Sequence, residues 1–183
     1  GRIASAALDD RLGLFVALEA LRQLAAAPPA WDVFVCGSVQ EEGGSHGGAA
    51  VVSARVRPDV ALVVECTYAS DAPSGPEPWG DVPLGGGPSV FRGPVVHPGV
   101  AQGLLDAAAA VGVPVGVESG QVTWSDADDV FMAGDGTPTG LLSIPIRHMH
   151  TASEIGQLSD VTAAIELVVA YARSLDDDAS FVR

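Results

Sequence analysis

Cationic side chains are scarce in this chain: nine Lys plus Arg stand against 23 Asp plus Glu in 183 residues, a formal net charge of -14. Phosphate backbones and anionic lipid surfaces are held by excess Lys and Arg, so nucleic acid and membrane are set aside as partners. Long hydrophobic runs are missing as well. Acids, glycines or prolines interrupt every candidate before the roughly 18 residues a bilayer span requires, and no secretory leader is expected. Cysteine is nearly absent, with Cys36 and Cys66 alone and no CxxC spacing, which argues against a structural zinc knot. Both lie in apolar stretches, where a free thiol packs as a small hydrophobe, so buried reduced thiols and a cytoplasmic location are expected.

What remains is a chain with 48% apolar residues, enough for one substantial core and too short for two comfortable domains. One domain over residues 1–183 is the expectation. After Asp10, the residues Leu14, Phe15, Leu18, Leu21 and Ala25 recur at helical spacing until Pro28-Pro29, which cannot continue a helix. Trp31 to Val39 and Val60 to Val64 are short runs rich in β-branched residues and read as strands buried on two faces, with a helix over Ala49 to Val56 between them. Asp71 to Pro94 is rich in Pro and Gly without periodicity, and reads as a long loop that covers a site. Beyond it, the pattern predicts a helix over Val100 to Val111, a strand over Val113 to Val117 and a short helix over Ser125 to Ala133. A strand over Gly140 to Ile146 and a last helix over about Ser159 to Leu175 follow. Alternating strands and helices imply an α/β fold with a mainly parallel sheet covered by helices on both faces.

Acids and one histidine recur where these predicted strands stop: Asp9, Glu41 and Glu42, Glu65, and His150. Open α/β sheets bind ligands beyond the carboxyl ends of their strands, and carboxylates with imidazole are ligands for a hard-to-borderline divalent ion. Glu41 and Glu42 are adjacent, so one can hold a metal while the other reaches a water; a solvated acidic turn is the bland alternative. A glycosidase acid/base pair is also conceivable, but it leaves His150 without a role. Asp9-Asp10-Arg11 could simply cap the following helix. Glu65, closing an apolar run, needs a cation. His46 and His97 read as surface loop residues, and Gly85-Gly86-Gly87 as a turn or a close backbone approach. Asp126, Asp128 and Asp129 read as helix-start acids, with Asp126 also a candidate for positioning substrate.

The blocks Leu8-Asp9-Asp10-Arg11, Gln40-Glu41-Glu42-Gly43, Leu84-Gly85-Gly86-Gly87-Pro88 and Ile144-Pro145-Ile146-Arg147-His148-Met149-His150, in this order, resemble the M42 family of metallo-aminopeptidases over nearly the whole chain. The resemblance implies a three-layer α-β-α sandwich around a mainly parallel mixed sheet. It also implies two divalent ions, Zn or Co with Mn compatible, that act on peptide substrates in a cytoplasmic homo-oligomer. By motif, Asp9 is the bridging ligand, Glu42 and His150 are further ligands of one ion, Glu65 is a ligand of the other, and Glu41 is the general base. The Asp9-Asp10 bond is expected to be cis. Two family features have no counterpart here: the His-x-Asp ligand upstream of the bridging aspartate, and the inserted dimerisation domain. The chain is therefore expected to be the C-terminal part of a catalytic domain, inactive alone. A non-catalytic folded fragment and a related zinc exopeptidase with another amide substrate are the competing expectations.

Overall fold

The computed structural model describes residues 1–43, 47–73 and 79–181. Its elements run β1 (Arg2–Ser5), α1 (Leu8–Ala26), a 3-10 turn (Glu41–Gly43), α2 (Gly48–Val56), β2 (Ala61–Tyr68) and β3 (Ser89–Arg92). They continue with α3 (Pro98–Val111), β4 (Gly116–Ser119), α4 (Asp126–Val130), β5 (Thr139–Arg147), β6 (Glu154–Gln157) and α5 (Leu158–Ser174).

The centre of the fold is β5. Successive strand residues face opposite sides of a sheet, yet every residue from Thr139 to Ile146 is buried, so both faces must be covered. β2 runs parallel along one edge of β5, while β3 and then β6 pair antiparallel along the other. β4 adds parallel to β3, and β1 adds antiparallel to β6. The sheet is mixed as expected but not mainly parallel: three of its five pairings are antiparallel, which the strand–helix alternation did not reveal. On the β3/β6 edge, Ile144 and Pro145 fall between the two partners, where a proline without an N–H leaves no ladder bond unmade. α5 packs on both α1 and α3, and all three lie on the sheet, whereas α2 packs on α4, which contacts β2 and β5. Leu104, Leu142, Ile144, Ile146, Leu167 and Phe91 are the largest fully buried side chains.

Several sequence expectations need correction. The buried stripe of α1 is Leu8, Leu12, Val16, Ala20 and Leu24, while Leu14, Phe15 and Leu18 are exposed. This helix is apolar on both sides, so its period did not determine which face would be covered; packing on β2 and α5 did. Gly13 permits that packing, because a Cβ there would sit 2.5 Å from the Val64 carbonyl oxygen. The run from Trp31 to Val39 forms no strand, and Val33, Phe34, Val39 and Cys36 are exposed. Among the described residues no strand pairs with it, and β-propensity without a pairing partner does not make a strand. Strands β1, β3 and β6 are each four residues long, too short for alternation to mark them. β3 lies inside the stretch read as loop, and β2 continues through Glu65 to Tyr68, so Glu65 sits within a strand rather than at its end.

Candidate metal centre

The sheet order explains how distant acids meet. β6 lies between β1 and β5. The segments leaving the last two, which carry Asp9 and His150, therefore emerge side by side. Nε2 of His150 stands 3.1 Å from Oδ2 of Asp9 and 3.3 Å from Oε2 of Glu42. One donor atom from each of these three residues lies within 4.8 Å of the others. Asp9 is at the base, with a side chain only 9% exposed, whereas Glu42 and His150 stand 59% and 54% exposed at the rim. The ring of Tyr68 meets that of His150 edge-on, with centroids 6.2 Å apart.

The backbone around the site is unusual. Six non-glycine residues among those described have positive φ, and four adjoin the cluster: Ala7, Gln40, His148 and His150. Left-handed non-glycine residues cost about 1–2 kcal/mol each and persist only where the surrounding structure over-determines them. The Asp9-Asp10 peptide is cis, as the resemblance implied.

Four carboxyls sit at or beside this centre with pKa values pushed up. Burial, then the charge of Glu42, raises Asp9 to about 6. Burial, then repulsion from Glu42, Asp126 and Asp9, raises Glu41 to about 7. Asp10 rises to about 7 through burial, although it accepts the Gly13 N–H at 2.8 Å. Glu65, the most affected, is pushed to about 10 by burial and by Asp10. Acids crowded this closely ionise together only beside a compensating positive charge. Two carboxylates and an imidazole, open to solvent on one side, form a donor set that suits Zn, Co or Mn.

Glu65 hydrogen-bonds Asp9 but lies outside the three-donor cluster, while Glu41 borders that cluster without joining it. Asp10 and Cys66 make a second close group with Asp9, but burial and the surrounding acids push the Cys66 thiol up, and it hydrogen-bonds Asp10 instead. The loop bearing Glu41 and Glu42 is held from α4: Asp126 accepts the Ser38 hydroxyl, and Asp129 accepts the Gly47 N–H at 3.2 Å. Asp128 instead accepts the Thr123 and Trp124 amides.

His97 is not a surface residue; it is buried and caps α3 by accepting the Gly99 N–H. His46 lies outside the described residues. The Gly85–Gly87 turn is gripped by buried Asp160, which accepts the N–H groups of Gly85 and Gly87 at 2.8 and 3.1 Å. A Cβ on Gly87 would run into the Pro114 carbonyl, so the close-approach reading applies here. Sequence reasoning missed Glu154, which contacts the backbone on both sides of the site; its only signal is an acid opening a short apolar strand.

Comparisons with known proteins bear on the chain as a whole. The family model described as M42 glutamyl aminopeptidase matches residues 1–167. The lysyl aminopeptidase of Pyrococcus furiosus is 35% identical over 177 residues, which make up 95% of this chain and 49% of that protein. The TET aminopeptidase of a marine-sediment Thaumarchaeota archaeon superposes with a TM-score of 0.88 at 29% identity, covering 97% of this chain and 51% of that one. The TET1 peptidase of Pyrococcus horikoshii, which can assemble into a tetrahedron or a large octahedral shell, gives a TM-score of 0.79 at 26% identity over 95% and 51% of the two chains. The chain spans about half the length of the relatives it matches.

Proposed function

Because the chain belongs to the M42 glutamyl aminopeptidase family, we propose that it carries most of the metal site of an aminopeptidase that removes the N-terminal residue from peptides. The observation that supports this best is the convergence of Asp9, Glu42 and His150 from three separate segments onto one point. Asp9, at the base of the cluster, would be the ligand shared by two divalent ions, Zn or Co with Mn compatible. Glu42 and His150 would hold one of them, and Glu65, beside Asp9, would serve the second. Bound ions would supply Lewis-acid polarisation of the scissile carbonyl and a water acidified toward neutral pH.

The protein's own part is to place charge and move a proton. Glu41 borders the cluster without joining it, so its carboxylate is available to take up and return a proton rather than to hold an ion. It would accept the proton of the attacking water and deliver it to the departing nitrogen. We place the remaining ligand of the pair outside residues 1–183, since the matched relatives are about twice as long. The chain alone would then hold at most one ion well and show little peptidase activity. Relatives that build tetrahedra support a homo-oligomer for the full-length protein. No helix among the described residues is long and apolar enough to cross a membrane.

Calorimetric titration of Zn or Co into the 183-residue chain, followed by a panel of aminoacyl-anilides with the full-length protein, tests this reading. One tight site in the chain and anilide cleavage by the full-length protein are expected. Metal-independent cleavage, or no binding at all, would refute it.

A further inference from the structure

Building on the metal-site reading above, we propose that Glu154 is the positioning residue that sets the spacing of Asp9 and His150. One buried carboxylate ties together the two segments that carry them. Glu154 is 2% exposed, and its hydrogen bonds go to backbone amides on both sides of the site. Oε2 accepts the N–H of Leu8 at 2.6 Å and of Asp9 at 3.1 Å. Oε1 accepts the N–H of His150 at 2.9 Å.

Topology explains why this residue has that reach. Glu154 is the first residue of β6, opposite Ser5 at the end of β1, while its neighbour Ile155 pairs Arg147 at the end of β5. It thus stands between two strands at the point where both stop and their ligand-bearing segments begin. The amides it takes are ones that nothing local satisfies. Ala7, before α1, gives no side-chain cap, so the first N–H groups of that helix need an outside acceptor. On the other side, His148 and His150 both have positive φ, and the Glu154 bond pins the turn between them. A charged acceptor shared by three amides is short, directional and hard to replace. Glu154 itself bonds no side chain of the cluster, so it acts through Asp9 and His150.

The test compares Glu154→Gln with Asp160→Asn in the 183-residue chain. Asp160 is a second buried carboxylate bonded to two amides, but it sits on α5 and holds the Gly85–Gly87 turn. Gln keeps one acceptor oxygen and turns a donor toward the amides, so at least one bond is lost. In the metal-free chain, hydrogen exchange at Leu8, Asp9 and His150 should quicken together in Glu154→Gln and stay unchanged in Asp160→Asn. In calorimetric Zn titration, Glu154→Gln should bind roughly 10–100-fold more weakly, the usual effect of losing a residue that orients a ligand, while Asp160→Asn binds normally despite losing thermal stability. Equal affinity loss in both variants, or exchange that rises at one segment alone, would overturn the proposal. If the parent chain takes up no zinc, the metal reading fails, and joint or separate exchange still decides the linkage. Should Glu154→Gln not fold, Glu154→Asp keeps the charge one methylene short and is read by the same two measurements.

Discussion

Without a divalent ion, this protein should lose stability as pH rises from about 4.5 to 7, and an added ion should reverse that trend. A carboxyl whose folded pKa is raised stays protonated in the folded state after the unfolded chain has released its proton. The folded state then binds more protons, and unfolding becomes easier with each step up in pH. Glu65 has an ordinary value of 4.5 and a folded value of about 10, so it spans the whole window. Each pH unit crossed is worth about 1.4 kcal/mol for such a group, so Glu65 alone removes on the order of 3 kcal/mol by pH 7. Asp10 and Glu41, each raised to about 7, act in the same direction across this window, and Asp9 does so up to about 6. Glu19 and Asp71, whose values are lowered by Arg22 and Arg147, titrate below the window and offset nothing there. For a domain of this size, 3 kcal/mol corresponds to roughly 10 °C in Tm.

Circular-dichroism melts between pH 4.5 and 7, in chelator and in saturating zinc, measure this directly. Zinc should also release protons from the acid cluster at pH 7, read by calorimetry in buffers of different ionisation enthalpy. A Tm in chelator that stays flat or rises across the window would refute the account of the acid cluster.

Three further outcomes are expected. Glu41→Gln in the full-length enzyme should lower kcat by about 10²–10⁴-fold while leaving metal content near normal by elemental analysis, because a general base is lost and no ligand is; parallel loss of metal would reassign the residue. Glu42→Ala or His150→Ala should instead reduce bound metal, and full occupancy in either would remove that residue from the ligand set. Gly13→Ala should destabilise the chain by about 1–3 kcal/mol in urea unfolding, since the new methyl meets the Val64 carbonyl oxygen at 2.5 Å and the Asp10 carboxylate as well; a neutral result would mean that α1 can move off β2 at little cost.

The site was more legible in the sequence than the fold around it. Asp9, Glu42 and His150 could be named because ligand chemistry restricts residue type, and because acids beside apolar runs are expensive without a purpose. Helices α3 and α5 were legible from apolar spacing, since each has one clearly apolar side. The stripe of α1 was not, because Leu14, Phe15 and Leu18 are as apolar as Leu12, Val16 and Leu24. Of the four four-residue strands only β4 was anticipated; β1, β3 and β6 carry too little pattern to stand out.

Glu154 marks the limit from the other side. An acid followed by Ile155 and Gly156 says nothing about three backbone amides, two of them about 145 residues away. By itself, the sequence determined which side chains could bind a metal and which helices would hide an apolar side, because those are properties of residue type and local period. Only the tertiary structure decided which face of α1 is covered, that the run from Trp31 to Val39 stays unpaired, and that β6 inserts between β1 and β5. That insertion brings Asp9 and His150 to 3.1 Å. Strand neighbours are chosen by long-range pairing, and no local pattern records who the neighbour will be.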